Sequence, residues 1–315
     1  MMQPRRPYWP FAGFGAAAIA GLALVCGHAS AQQAMAPPEV TATSVFVMNA
    51  DTGQILYAKK EDEVFRILSL TKLITAYVLV DRMGDRLSET VTIDWPHLTP
   101  GSTAGLKRRD VWTLQDLLYG MVLVSGNDAS LAIADHVGRD ILAQEKRKGD
   151  STKRFVEEMG AAAGALGAEH AQFADPYGLS PANVATARDM GIIASHVFTN
   201  TRLLPAWACT ERSLEIGGPK PRTVTLKTSL EILGEDNVIG AKTGSHVGKN
   251  IYNLVTAWRA PNGQTIVGVV LGSVSHPARY DDMRAIMAAL PQDFPALAEP
   301  ATGATSKDGT ASACP

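Results

Sequence analysis

Hydrophobic and polar positions divide the chain into a β-rich start, a helical middle and a β-rich end. Residues 44–48 and 55–59 are two short runs of strand character on either side of the turn sequence at 50–53, which predicts a β-hairpin. From residue 69 the apolar spacing changes to three and four, which predicts a helix. Its buried stripe consists of Leu70, Leu73, Ile74, Tyr77 and Val78.

Further helices are predicted through the middle of the chain. Thr113 and Asp116 have the spacing of a capping box, and the helix that they open runs to Ser125. The other helices of this region are predicted at 127–136, 152–163 and 186–197, the last opened by a second capping box at Thr186 and Asp189. Beyond residue 239, strands are predicted at 239–243, 252–258 and 265–271, before a closing helix that carries Met283, Ile286, Met287 and Leu290.

Strands at both ends with helices between them favour an α+β fold. The economical arrangement is one antiparallel sheet, built from the N- and C-terminal strands and covered by helices, with the central helices forming a lobe beside it. We expect the active site to lie between the two lobes of this single domain.

Composition restricts the class of protein. The chain has 315 residues, of which 46% are apolar and 19% charged, so it can bury a substantial core and is neither disordered nor collagen-like. The formal net charge of −2 gives no support for nucleic-acid binding or for a polybasic membrane surface. Function must therefore be sought in local motifs.

The first 31 residues have the pattern of a secretory signal. Arg5 and Arg6 precede the uncharged apolar stretch 11–25, and Ala29-Ser30-Ala31 offers a small-x-small cleavage site. We therefore expect an exported enzyme, periplasmic or extracytoplasmic and soluble after cleavage, with a short linker at 32–39. An uncleaved anchor helix and a lipoprotein signal ending at Cys26 are the alternatives.

The chain after residue 290 is rich in Pro, Ala, Gly, Ser and Thr and has no periodic pattern, so 291–315 is predicted to be a disordered tail that follows a folded domain at 40–290. Cys209 and Cys314 would remain in an oxidising compartment, where pairing is chemically possible. Because Cys314 falls in the tail, we expect no structural disulfide. The two cysteines do not form a metal site.

Ser69 and Lys72 are candidates for a nucleophile and its base. They are three residues apart at the start of an amphipathic helix, which places both side chains on one face. A serine hydroxyl needs a base to remove its proton, and a lysine serves once its surroundings favour the neutral amine. Alone the pair is weak evidence, since a serine that opens a helix is most often a cap.

Two further motifs change that assessment. Ser125-Gly126-Asn127 lies between two predicted helices, and Lys242-Thr243-Gly244 ends a predicted strand. Taken alone, the first motif is explained as the boundary between two helices, and the second as a strand end with a solvated lysine. Lys227-Thr228-Ser229 is a competing candidate for the second motif. The three elements occur in the order Ser-x-x-Lys, Ser-x-Asn, Lys-Thr-Gly, which is the signature of penicillin-binding proteins and class A β-lactamases.

With these motifs the chain resembles the D-alanyl-D-alanine carboxypeptidases of the low-molecular-mass penicillin-binding class, serine peptidase family S11, over about residues 40–290. The opening hairpin with Asp51-Thr52-Gly53 and the segment Asp175-Pro176-Tyr177-Gly178-Leu179 also look like that family. The resemblance implies a β-lactamase/transpeptidase-like fold and an acyl-enzyme mechanism without cofactor or metal. Its substrate would be a peptidoglycan stem peptide ending in D-Ala-D-Ala, and β-lactam antibiotics would be covalent inhibitors.

The resemblance also implies a role for each motif residue. Ser69 would attack the carbonyl between the two D-alanines, and Lys72 would take its proton. Ser125 would relay a proton to the leaving D-alanine, and Asn127 would hold the substrate amide or orient Lys72. The remaining implied contacts to substrate are a carboxylate site at Lys242 and Thr243, room for the substrate along the strand at Gly244, and an oxyanion hole from the backbone N–H groups of Ser69 and Ser245.

Rival functions remain open at the level of the sequence. A D,D-endopeptidase that cleaves cross-links would use the same machinery, and the more polar segment 245–250, with Lys249, could alter which peptide fits. A β-lactamase is disfavoured because Gly126 stands where class A enzymes carry Asp and no Glu is placed to activate a deacylating water. A non-catalytic peptidoglycan-binding protein would be expected to have lost one motif, and none is lost.

Overall fold

The computed structural model describes residues 37–235 and 237–290, together with Cys314. The predicted signal segment, most of the linker and all but one residue of the predicted tail lie outside the described residues. Among the helices that are described, none is long and apolar enough to cross a membrane.

The central element is a five-stranded antiparallel sheet with strand order β2-β1-β11-β10-β9. Its strands are β1 (Ser44–Asn49), β2 (Ile55–Lys59), β9 (Val238–His246), β10 (Ile251–Arg259) and β11 (Thr265–Leu271). The N-terminal hairpin therefore pairs with the C-terminal strands through β1 and β11, as the sequence pattern predicted. Strand β9 lies at the edge, with one side free to face the helical lobe.

Shorter strands form three two-stranded ribbons in the described chain. They are β3 (Phe65–Arg66) with β6 (Val184–Ala185), β4 (Thr90–Thr92) with β5 (Val111–Thr113), and β7 (Glu211–Ile216) with β8 (Arg222–Lys227). The sequence analysis did not anticipate these ribbons. The β7–β8 hairpin does carry a recognisable signal, since polar and apolar residues alternate on both sides of Gly217-Gly218-Pro219.

The described residues include seven α-helices. They are α1 (Lys72–Met83), α2 (Leu114–Leu123), α3 (Asn127–Gln144), α4 (Ser151–Leu166), α5 (Ala187–Phe198), α6 (Leu204–Trp207) and α7 (Ala278–Ala288). Both predicted capping boxes mark true helix starts: the Thr113 hydroxyl accepts from the Asp116 backbone N–H at 3.0 Å, and Thr186 and Asp189 cap each other. The predicted boundaries differ most at α3, which continues to Gln144 beyond the predicted end at 136. The start of α1 also differs, because Ser69 lies in a 3₁₀ helix, Leu68–Thr71, and α1 begins at Lys72.

Helices cover both faces of the sheet. Side chains alternate along each strand, so Phe46 of β1 joins the core shared with α5 and the helical lobe, whereas Val45 and Val47 join a second core under α7. Met283 and Ile286 of α7 are fully buried in that second core. This is the α+β architecture expected from the sequence.

The expectation of no structural disulfide is wrong. Cys209, directly before β7, is bonded to Cys314, and their Cα atoms are 5.3 Å apart. The irregular composition around Cys314 was the basis of that expectation, but composition says nothing about where a segment is placed. The bond ties a residue near the end of the chain to the β7–β8 hairpin.

Candidate active site

Ser69 and Lys72 meet at the start of α1. The Lys72 Nζ atom lies 3.2 Å from the Ser69 Oγ atom. Lys72 is fully buried, whereas Ser69 retains partial exposure. Leu68, just before Ser69, has a φ of +53°, a left-handed conformation that costs a bulky residue free energy and is concentrated at functional sites.

The surroundings of Lys72 favour its neutral amine. Its Nζ atom donates to the Asn127 Oδ1 atom and to the Tyr177 carbonyl oxygen, both at 2.8 Å. Burial lowers the pKa of Lys72 well below its ordinary value, and the charge of Lys242 lowers it further, against weaker attraction from Asp175 and Asp128. A neutral amine has two N–H donors for the two carbonyl oxygens, and its lone pair can then accept from the Ser69 hydroxyl.

Ser125 occupies the junction between α2 and α3. Its φ is +57°, which is uncommon for a residue with a side chain, and it places the hydroxyl at a buried position. The Ser125 Oγ atom has no hydrogen-bond partner among the described residues. Buried hydroxyls are normally paired, so a strained and unpartnered one at this place indicates a group that waits for a ligand.

Asn127 links this junction to the catalytic lysine. Its Oδ1 atom accepts from Lys72, and its Nδ2 atom donates to the Pro100 carbonyl oxygen at 2.9 Å. Both ends of the amide are thus used within the protein. Of the two roles considered for Asn127, the contacts favour orienting Lys72 over holding the substrate amide.

The Lys242-Thr243-Gly244 motif lies on the edge strand β9, beside the turn that carries Ser69. A Cβ atom on Gly244 would come within 2.4 Å of the Ile67 carbonyl oxygen, so only glycine allows the strand to approach this closely. Lys242 is 2% exposed and donates to the Thr243 carbonyl oxygen at 2.9 Å. Burial, together with the charge of Arg279, lowers the pKa of Lys242 to about 7.

The competing motif at Lys227-Thr228-Ser229 lies away from this cluster. Lys227 ends β8, its side chain is 77% exposed, and its Nζ atom lies 3.6 Å from a Glu211 carboxylate oxygen. The sequence analysis preferred Gly244 over Ser229 because a serine would crowd the strand edge, and the close approach of Gly244 to Ile67 supplies the physical reason.

Two contributors to the site were missed in the sequence. Arg279 of α7 is 2% exposed and donates through Nη1 to the Ser245 hydroxyl, while its Nε atom has no partner in the described chain. Nothing in the local sequence relates Arg279 to a strand 34 residues earlier. Its buried guanidinium adds positive charge behind Lys242 and Ser245.

The second missed contributor is the loop that presents the Tyr177 carbonyl to Lys72. The Asp175 carboxylate accepts from the backbone N–H groups of Tyr177, Gly178 and Ser180, which folds the loop into a tight turn. A Cβ atom on Gly178 would lie 1.9 Å from the Leu68 carbonyl oxygen. The Asp-Pro-x-Gly pattern was the available signal for this turn, although not for its contact with Lys72.

The site therefore gathers a serine, a buried lysine of lowered pKa, an unpartnered hydroxyl and a buried cationic strand edge. That set has the chemical groups of a serine acyl-transfer site beside a positively charged strand edge. A family model for D-alanyl-D-alanine carboxypeptidase matches residues 31–275. The chain belongs to the D-alanyl-D-alanine carboxypeptidase family.

Individual relatives agree with that membership. A D-alanyl-D-alanine carboxypeptidase from Streptomyces sp. strain K15 is 32% identical over 279 residues, which cover 85% of this chain and 94% of the relative. The carboxypeptidase DacA of Haemophilus influenzae is 29% identical over 266 residues, and the match spans only 63% of that protein. The crystal structure of the Streptomyces K15 DD-transpeptidase superposes with a TM-score of 0.74 at 32% identity, covering 81% of this chain and 98% of that one.

Proposed function

We propose that this chain is a serine-type D-Ala-D-Ala carboxypeptidase that removes the terminal D-alanine from peptidoglycan stem peptides through an acyl-enzyme on Ser69. The observation that carries the proposal is the position of Ser69 Oγ, 3.2 Å from the Nζ atom of a fully buried lysine. The other two contacts of that Nζ atom are carbonyl oxygens, so the serine hydroxyl faces the position of the amine lone pair.

Acylation begins when the Ser69 oxygen attacks the carbonyl carbon of the amide between the two D-alanines, and Lys72 takes the hydroxyl proton. The backbone N–H groups of Ser69 and Ser245 stabilise the oxyanion of the tetrahedral intermediate. When the C–N bond breaks, the leaving nitrogen needs a proton. The unpartnered hydroxyl of Ser125 relays it from the protonated Lys72, and D-alanine departs.

Deacylation uses the same groups in reverse. A water molecule gives a proton to neutral Lys72 and attacks the ester carbonyl, and the Ser69 oxygen recovers its proton as the C–O bond breaks. Asn127 keeps Lys72 in place in both halves of the reaction. β-Lactams that acylate Ser69 would inhibit the enzyme by forming an ester that hydrolyses slowly.

The carboxylate of the terminal D-alanine is received at the strand edge. Lys242 and Thr243 bind it, with the Arg279 guanidinium adding to the positive potential from behind. Without substrate the pKa of Lys242 is about 7. The bound carboxylate would raise this pKa and keep the lysine protonated in the complex. Gly244 lets β9 lie close against the turn that carries Ser69, and the substrate backbone binds along the edge of this strand, in the manner of β-strand addition.

The proposal includes domain limits and a location. Residues 40–290 form the catalytic domain, and the N-terminal segment 1–31 directs export to a compartment outside the cytoplasm. The basic residues Arg5 and Arg6 before an uncharged apolar stretch support export. The substrate is located in that compartment.

The test measures D-alanine release from an N-acetylated stem peptide ending in D-Ala-D-Ala. The wild-type protein should release one D-alanine per peptide, and Ser69→Ala should release none. Ser213→Ala is the matched control, because Ser213 is an exposed serine on β7, outside the described site. Release by Ser69→Ala at the wild-type rate would refute the proposal. Cleavage of a cross-linked dimer without release of terminal D-alanine would favour the endopeptidase alternative, and rapid penicillin turnover would favour a β-lactamase.

A further inference from the structure

A cavity of about 520 Å³ lies outside the catalytic cluster, between the β4–β5 ribbon, the 3₁₀ helix Trp95–His97 and α3. This volume lies in the range of small-ligand sites. Asp94, Arg108 and Arg109 line one side of the cavity, and Asp135 and Arg139 of α3 line the other. None of these groups has a part in the reaction described above.

The cavity is connected to the active site along α3. Asn127 begins α3, and Asp135 follows eight residues later, which places them about 12 Å apart along the helix axis. The segment from His97 to Pro100 runs beside the same part of α3. At one end the His97 Nε2 atom lies 3.0 Å from the Asp135 carboxylate, and at the other end the Pro100 carbonyl oxygen accepts from Asn127. The Asp135 wall of the cavity therefore lies about 12 Å along α3 from Asn127, the residue that contacts Lys72.

Trp95 stands at the rim of this cavity. The residue is 65% exposed, which is unusual for tryptophan, and its neighbours Asp94 and Pro96 both line the cavity. The Arg108 guanidinium lies 5.3 Å from the centre of the indole ring and is held by the Asp94 carboxylate at 2.9 Å. Because Asp94 and His97 form a reciprocal capping box at the start of the 3₁₀ helix, the exposed ring is presented on a fixed turn.

The charges of the cavity favour a neutral, hydroxyl-rich ligand over a polyanion. Two of its arginines are already paired, Arg108 with Asp94 and Arg139 with Asp135. Arg109 has no ion pair or side-chain hydrogen bond with any residue that the structure describes, and its φ is +69°. One free guanidinium, two carboxylates and wall hydroxyls from Thr90 and Thr92 supply mixed donors and acceptors and little net charge.

We infer that this cavity and Trp95 form a second binding site that takes the glycan strand of peptidoglycan, with an N-acetylated amino sugar stacked on the indole ring. The inference rests on the proposed function, since it assigns the remote part of the same substrate. A stem peptide of four to five residues reaches about 13–18 Å when extended, which exceeds the roughly 12 Å along α3 between Asn127 and Asp135. Binding of the strand would hold the stem peptide near Ser69 by raising its effective concentration.

The first test measures binding without catalysis. Peptide-free glycan strands about four disaccharides long are titrated into the Ser69→Ala protein, with heat or tryptophan fluorescence as the readout. Trp95→Ala should weaken binding about tenfold, as expected for truncation of a central aromatic contact, and Arg109→Gln should weaken it by a smaller factor. Trp95→Tyr should retain most of the affinity. Val64→Ala, which truncates another exposed apolar residue, should have no effect.

The second test compares two substrates with the Ser69-containing enzyme. Trp95→Ala should lower kcat/KM about tenfold on glycan strands that carry stem peptides and leave kcat/KM unchanged on the free N-acetylated stem peptide. Strands that fail to bind, or equal losses on both substrates, would overturn the inference. Tight binding of inorganic pyrophosphate or of peptide alone at this cavity would overturn it as well. A failure of the proposed function is distinguishable, because D-alanine would then be released from neither substrate while the binding test still reports on the cavity.

Discussion

Lys242→Met should make the protein more stable and less active, by an amount that depends on pH. Burial lowers the pKa of Lys242 from 10.5 to about 7 in the folded protein, so the unfolded chain binds this proton more tightly. The proton therefore opposes folding most strongly below pH 7, and this opposition disappears as pH rises toward 10.5. From these two pKa values the cost is about 4 kcal/mol at pH 7 and about 2 kcal/mol at pH 9.

Methionine removes that cost and has a similar side-chain volume, although its side chain is one heavy atom shorter. The substitution also loses the hydrogen bond from Lys242 to the Thr243 carbonyl oxygen, a contribution of about 1 kcal/mol. We therefore expect a net gain of roughly 1–3 kcal/mol in the free energy of unfolding at pH 7, after relaxation of the site around the uncharged side chain. Carboxylate binding should be lost, so kcat/KM on the D-Ala-D-Ala peptide should fall by about two to three orders of magnitude.

The assay is urea denaturation of both proteins at pH 7 and pH 9. The stability advantage of Lys242→Met over wild type should shrink by about 2 kcal/mol between these pH values. Lys227→Met is the matched control, because that lysine is 77% exposed and should give no pH-dependent difference. A destabilisation by Lys242→Met that is equal at both pH values would refute the reasoning, since it would mean that the buried amine is not penalised for its charge.

Three other substitutions test separate parts of the account. Ser125→Ala should slow D-alanine release about 100-fold with an unchanged melting temperature, because the hydroxyl has no partner in the described chain. Gly178→Ala should lower the free energy of unfolding by more than about 2 kcal/mol in urea titrations, since its Cβ atom would overlap the Leu68 carbonyl. Cys314→Ser should lower the free energy of unfolding by roughly 2–4 kcal/mol in the same assay. Reduction of the disulfide in the wild-type protein should have the same effect, and an unchanged urea midpoint would contradict the prediction.

The sequence predicted what depends on local spacing. The three-residue interval from Ser69 to Lys72 placed both side chains together whether the turn is 3₁₀ or α, and the capping boxes at Thr113 and Thr186 marked real helix starts. The order of strands at both ends with helices between them predicted the sheet, in which β1 and β11 are buried along their whole length. The helix caps and the Ser69–Lys72 pair depend only on residues that are close together in the sequence.

The features that the sequence missed all depend on distant partners. At the start of α1, which lies at Lys72 and not at Ser69, Gly178 and Gly244 of two other elements pack against the backbone of Leu68 and Ile67. Arg279 reaches Ser245 only through the packing of α7. The bond between Cys209 and Cys314 depends on where the end of the chain lies, which neither composition nor periodicity encodes.

Mass spectrometry of the protein after incubation with penicillin tests the central claim most directly. Wild type should gain one penicilloyl group, and peptide mapping should place it on Ser69. Lys72→Met should form the same adduct at least about 100-fold more slowly, because the serine then lacks its base. An adduct on any other residue, or equal rates in the two proteins, would contradict the assignment of Ser69 as nucleophile and Lys72 as its base.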